Sequence, residues 1–200
     1  MAWDNMHQHN GLAWKDDDYK VIVIHTPKCA STTIRQHITH GGPMNLNSDD
    51  VPDYKLLTVM RNPITRFWSG VTTALHSPSE ILFYSHINFK EGTWKERIMY
   101  VLNEVKQGRY FDIHIIPQVW FHHDRLSVPF QIDDYLKFED FTKEVQRTIS
   151  EDLYPVNANG NPIHEVGITS LYDDPEVLAE IRVAYAGDFE CYKNNIGETI

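Results

Sequence analysis

A chain of 200 residues with 42% hydrophobic and 12% aromatic side chains is long enough for one domain with a sizeable core, and it is too apolar for a disordered protein. A formal net charge of −10 argues against a nucleic-acid-binding protein and against a heavily sulfated polyanion as partner, and two cysteines, Cys29 and Cys191, do not make a disulfide framework. No run reaches the length of a membrane span, and the first residues lack the apolar core of a signal peptide.

Residues 1–18 are polar and end in Asp16-Asp17-Asp18. They read as an N-terminal arm ahead of a single domain over 19–200. His7 and His9 have no acidic or cysteine partner at ligand spacing, so no metal site is expected.

The first strand is expected at 19–25, around the β-branched run Val21-Ile22-Val23-Ile24. The loop Pro27-Lys28-Cys29-Ala30 follows, and Ser31, Thr32 and Thr33 open a helix over 31–40 that Gly41-Gly42-Pro43 ends. A strand, a basic loop and a hydroxyl-rich helix start together make an anion site. The helix start leaves N–H groups unpaired, Lys28 adds a full charge, and the hydroxyls add short donors. The ATP-type phosphate loop is excluded, because no glycine occurs between Val21 and His40.

Residues 43–54 read as a polar loop. Leu56 to Met60 is a compact apolar run, expected as a buried parallel strand over 55–60. Arg61 stands at its end, Asn62 suits an N-cap, and Pro63 suits the first turn of a helix over 63–75. In open α/β sheets ligands bind outside the carboxyl ends of strands. Lys28 and Arg61 at two such ends predict a site for two anionic groups. Ser69 lies eight residues after Arg61, about two helical turns on.

Over 79–92 the aromatics Phe83, Tyr84 and Phe89 with His86 read as packing in preference to an acceptor wall. Residues 93–107 are helical by period, with Trp94, Ile98, Val101, Leu102 and Val105 on one stripe and Gly108 closing it. A third strand is expected at 135–138, with Glu139-Asp140-Phe141 opening a helix to 149. Residues 154–170 form a loop. Asp173 is the expected N-cap of a last helix, followed by Pro175, Glu176 and the stripe Val177, Ile181, Tyr185, Phe189.

Two of these segments carry a resemblance. Pro27 to Thr33 resembles the 5′-phosphosulfate loop of sulfotransferases that use 3′-phosphoadenosine 5′-phosphosulfate (PAPS). Residues 61–69, Arg-Asn-Pro-Ile-Thr-Arg-Phe-Trp-Ser, resemble the same family's 3′-phosphate motif. Weaker likenesses are His114-Ile-Ile-Pro-Gln118, Glu139-Asp140-Phe141 and Tyr185-Ala-Gly-Asp188-Phe189, and the chain looks closest to the carbohydrate-type branch. The resemblance implies an α/β fold, a three-layer sandwich around a small central parallel sheet of the P-loop-NTPase-like sulfotransferase kind. It implies PAPS as sulfuryl donor, no metal, and an acceptor hydroxyl on a saccharide or other small molecule. Pro27, Lys28, Cys29, Ala30, Ser31, Thr32, Thr33, Arg61 and Ser69 would hold the donor. Arg66 fits the motif too, with a surface ion pair as its equal alternative.

Lys28 is the expected group at the leaving oxygen. The base is open among His40, which follows the first helix, His114, and His76; His25, on the strand, reads as structural. Family members of the Golgi carry a membrane anchor. None is seen here, so the expectation is a cytoplasmic protein or one relieved of a targeting segment. The competing readings are a nucleotide phosphotransferase and a module that binds PAPS or a nucleotide without catalysis.

Overall fold

In the computed structural model, residues 12–37, 41–47, 53–76, 92–110, 112–124, 126–149, 166–198 and 200 are described. The order is β1 (Leu12–Asp16), β2 (Val21–Ile24), α1 (Ser31–His37), β3 (Gly41–Asn45), β4 (Lys55–Met60), α2 (Pro63–His76) and α3 (Trp94–Lys106). Then come β5 (Asp134–Lys137), α4 (Phe141–Ile149), α5 (Val166–Thr169), α6 (Pro175–Ala184) and α7 (Ala186–Ile196). Short 3-10 turns cover Gln118–His122 and Phe138–Asp140.

The sheet has five strands in the order β3-β1-β2-β4-β5. β2, β4 and β5 are parallel, while β1 runs antiparallel to both β2 and β3. The fold is therefore α/β, but the sheet is mixed and not wholly parallel. The difference lies in two stretches. Leu12–Asp16, expected in the arm, is a strand paired with Val21–Ile24, and Gly41–Asn45, expected as helix end and loop, is the outer strand. Neither has a long apolar run; β1 alternates Leu12, Trp14 and Asp16 with Ala13 and Lys15, and β3 carries two glycines and Pro43.

The central strands are buried on both faces, which is why β2 and β4 read as unbroken apolar runs. Val21, Val23, Leu57, Val59 and Leu136 face Ile34 of α1 with Phe141 and Val145 of α4. Ala13, Ile22, Ile24 and Leu56 face Ile116, Phe121 and Phe130 from the segment between α3 and β5. A third apolar cluster joins Phe67, Trp68 and Val71 of α2 to Ile98, Val101, Leu102 and Val105 of α3 and Val177 and Ile181 of α6. At about 25 cal/mol per Å² of apolar area removed from water, these helical stripes and the sheet faces supply the main drive to fold.

Helix ends follow their capping chemistry. Asn62 Oδ1 accepts from the Ile64 and Thr65 amides at 2.9 and 3.3 Å, so α2 starts where expected. Thr93 and Glu96 form a reciprocal capping box on α3, and Gly108, at φ +69°, follows its end. The last helix starts one residue later than expected: Asp174, not Asp173, accepts from the Glu176 and Val177 amides. It also breaks at Tyr185 into α6 and α7.

His122 is buried against β4, its Nε2 3.4 Å from Thr58 Oγ1. Burial, helped by the nearby His123 and Arg66 charges, pushes its imidazole from 6.5 down to about 3. A histidine kept neutral in the folded protein but free to protonate in the unfolded chain contributes fully above pH 6.5 and loses that contribution as pH falls toward 3. Stability should drop across this window by up to about 5 kcal/mol. Denaturant titrations at several pH values check this, since a His122→Gln variant should lack most of the slope.

Candidate active site

All three parallel strands deliver their carboxyl ends to one cleft of about 890 Å³. The loop after β2 brings Lys28 and Ser31 to Thr33, β4 and α2 bring Arg61 and Ser69, and the turn after β5 brings Phe138 and Glu139. The site lies where the rule for open α/β sheets puts it.

The loop after β2 is tightly wound. The Cys29 amide donates to the Thr26 carbonyl at 3.2 Å, and Lys28 and Ala30 have φ of +68° and +59°. Side chains other than glycine enter that region at a cost of about 1–2 kcal/mol each. Positive φ recurring at every second residue is a pattern that turns neighbouring amide N–H groups to one concave side, which suits an anion.

Arg61 spans both loops. Its Nη1 donates to the Lys28 carbonyl at 3.2 Å and its Nε to Thr65 Oγ1 at 3.1 Å, while the guanidinium lies 4.4 Å over the Phe138 ring. Burial first, and then the Arg61 charge, pull the Lys28 ammonium below its usual range; burial also lowers Arg61. Two partly buried cations on one wall repel each other, and a bound anion relieves that repulsion.

The tie between the loops is completed by Gln118. Its side-chain amide donates to the Arg61 carbonyl at 2.8 Å and accepts from the Arg61 amide at 2.9 Å, the exchange a neighbouring strand would make. The same oxygen accepts from Cys29 Sγ at 3.1 Å. Cys29 is thus buried behind the loop, and burial pushes its thiol up to about 11. Its side chain packs behind the loop and is absent from the cleft wall, unlike those of Lys28 and Ser31 to Thr33.

Arg66 makes neither the surface ion pair nor a wall of the cleft. It is fully buried, its Nε donating to the Pro27 carbonyl at 3.1 Å and its Nη1 to the Ile116 carbonyl at 2.7 Å. The segment over 112–122 is fixed from the other side by the last two helices. Tyr185 donates its hydroxyl to the Ile115 carbonyl at 2.5 Å, and Asp188 accepts from the Gln118 and Val119 amides at 2.8 and 2.9 Å. Glu139 accepts from the Asn62 amide at 2.9 Å and from the Tyr192 hydroxyl at 3.1 Å.

Among the histidines, His114 reaches the cleft wall, its Nδ1 2.7 Å from Asp112 Oδ1. With Asp112 as a carboxylate, which only accepts, this contact selects the tautomer that carries the proton on Nδ1 and the lone pair on Nε2. Gly70 permits this placement: a Cβ there would stand 2.4 Å from the His114 carbonyl oxygen. His25, expected as structural, extends the β1–β2 ladder through its amide to the Leu12 carbonyl and also belongs to the wall. His76 is the last residue of α2. His40, His7, His9 and the aromatic group Phe83, Tyr84, Phe89 with His86 lie outside the described residues, as does most of the expected 154–170 loop.

Asp112, Phe138, Thr72, Thr73 and Tyr172 also shape the site without having been singled out from the sequence. Asp112-x-His114 is a legible spacing for a carboxylate–imidazole pair. The threonines stand three and four residues after Ser69, on the same helix face. No protein-family model, no curated protein and no solved structure matches this chain. Among the described residues no helix is long and apolar enough to cross a membrane, and no three metal-ligating side chains stand together.

Proposed function

We propose that the protein is a PAPS-dependent sulfotransferase acting on an acceptor hydroxyl, with a saccharide as the preferred class. The observation that carries this reading is the joining of two basic strand ends on one cleft, with Arg61 bonded to the backbone of the Lys28 loop. A donor with separate 5′ and 3′ anionic groups uses both; a mononucleotide uses one.

In this reading the loop from Lys28 to Thr33 takes the 5′-phosphosulfate, and Arg61 with Ser69 takes the 3′-phosphate. Arg61 has three further N–H donors beyond the two bonds described. In transfer, the bond between sulfur and the bridging oxygen breaks and a bond from sulfur to the acceptor oxygen forms. Lys28 neutralises the charge that grows on the bridging oxygen, and His114 takes the acceptor's proton on Nε2 while Asp112 holds its Nδ1–H.

Calorimetry with adenosine 3′,5′-bisphosphate, AMP and ATP tests the reading. The bisphosphate is expected to bind at least tenfold more tightly than either, and Arg61→Ala to remove that margin by about 2 kcal/mol. Tighter ATP binding would point to the phosphotransferase, and bisphosphate binding without turnover of any acceptor to a binding module.

A further inference from the structure

Three neutral groups fix the Arg61 guanidinium. Nη1 donates to the Lys28 carbonyl at 3.2 Å, Nε donates to Thr65 Oγ1 at 3.1 Å, and the central carbon lies 4.4 Å from the centre of the Phe138 ring. An aromatic face attracts a guanidinium through its quadrupole and brings no countercharge. An arginine held by a carboxylate must leave or share that carboxylate when an anion arrives; one held by a ring keeps its whole charge for the anion. Glu139, the residue after Phe138, has its oxygens on the Asn62 amide at 2.9 Å and the Tyr192 hydroxyl at 3.1 Å. Its charge reaches Arg61 through space, as a smaller effect than the burial that lowers the guanidinium.

The ring is itself anchored. Phe138 packs against the sheet cluster that contains Val21, Leu57, Val59 and Leu136. Its carbonyl accepts from the Phe141 amide, and the Glu139 contacts pin the same turn on its other flank. Order therefore passes from the sheet to the ring and from the ring to the guanidinium. Ordering a long side chain at the moment of binding weakens a ligand, and ordering it beforehand removes that cost.

We propose that Phe138 is a positioning residue: its ring presets Arg61, with its charge uncompensated and N–H groups to spare, and so sets the preference for a ligand with a second anionic group. The presetting stands on the ligand-free geometry. That the second group is a 3′-phosphate rests on the proposed function. Two measurements test this on wild type, Phe138→Leu, Phe138→Met, Phe138→Tyr, Arg61→Ala and the Phe138→Leu, Arg61→Ala double variant. The first is 15N relaxation of the Arg61 Nε–H group without ligand, and the second is calorimetry with adenosine 3′,5′-bisphosphate and AMP.

Arg61 Nε is expected to be rigid in wild type and Phe138→Tyr, with an order parameter of about 0.8, and to fall below about 0.6 in Phe138→Leu and Phe138→Met, which keep an apolar side chain without a ring. The preference for bisphosphate over AMP should shrink about fivefold in the same two variants and return to within about twofold in Phe138→Tyr, with AMP affinity itself within about twofold throughout. With Arg61 already replaced by Ala, Phe138→Leu should weaken bisphosphate no further. Three results would each overturn the proposal: an equally ordered Arg61 in Phe138→Leu and Phe138→Met, an undiminished preference in those variants, or an equal further loss in the double variant. Loss of Arg61 order in Phe138→Leu, in a protein whose wild type does not prefer the bisphosphate, would support the presetting and overturn the donor reading alone.

Discussion

Lys28→Ala is expected to lower sulfuryl transfer about 10³-fold while changing bisphosphate affinity less than about tenfold. In the proposed complex the phosphates of the product would be shared among Arg61, Ser69 and the loop amides, so one ammonium would be a modest part of ground-state binding. The bridging oxygen gains its charge only as the bond to sulfur breaks, and a cation beside it acts on the transition state alone. Lys28 suits that task because burial and the Arg61 charge already lower its affinity for its proton. The sign has a readout. Lys28 is charged below its lowered pKa and neutral above it, and a bound anion favours the charged form. Bisphosphate affinity should therefore fall as pH rises through that pKa, and the alkaline limb should vanish in Lys28→Met. Turnover within threefold of wild type in Lys28→Ala would remove the leaving-group role.

Asp188→Ala is expected to cost about 3–5 kcal/mol of stability, the largest loss from a single side chain far from the cleft wall. The carboxylate is fully buried, and burial raises its pKa while the Arg66 charge and the amides of Gln118 and Val119 oppose the rise. Removing it strands two amides and takes away a buried carboxylate that the Arg66 charge acts on. Asp188→Asn keeps one acceptor oxygen and should lose about half as much. Urea denaturation of the three proteins measures this, and a loss below about 1 kcal/mol in Asp188→Ala would mean that the network is slack. Bisphosphate affinity should weaken in parallel, because Gln118 positions Arg61.

The legible parts of the fold were those decided by local chemistry. Val21–Ile24 and Leu56–Met60 announce buried parallel strands, and Asn62-Pro63 announces a helix start to the residue. β1 and β3 were not legible, because pairing makes them strands, β1 with β2 and β3 with β1. Trp14 and Lys15 do not form one by themselves, and Pro43 argues against one.

The site divides in the same way. The neighbours in sequence, Lys28 to Thr33 and Arg61 to Ser69, could be grouped by spacing. Cys29 and Arg66 could not be told from ligand-facing residues, because whether a motif side chain turns outward or inward depends on partners far along the chain. Those partners are Gln118, Ile116 and Asp188, 50 to 122 positions away in the numbering.

Ala30 has a consequence for how the donor would bind. A methyl-bearing residue at φ +59° occupies a backbone region that the unfolded chain visits seldom, yet the turn from Thr26 to Cys29 and the Gln118 contact keep it there before any ligand arrives. The loop is preorganised. Under the proposed function an incoming phosphosulfate would meet amides already arranged, so little ordering entropy would oppose binding, and the site would discriminate by shape as a rigid mould does, rejecting anions that need the loop to open.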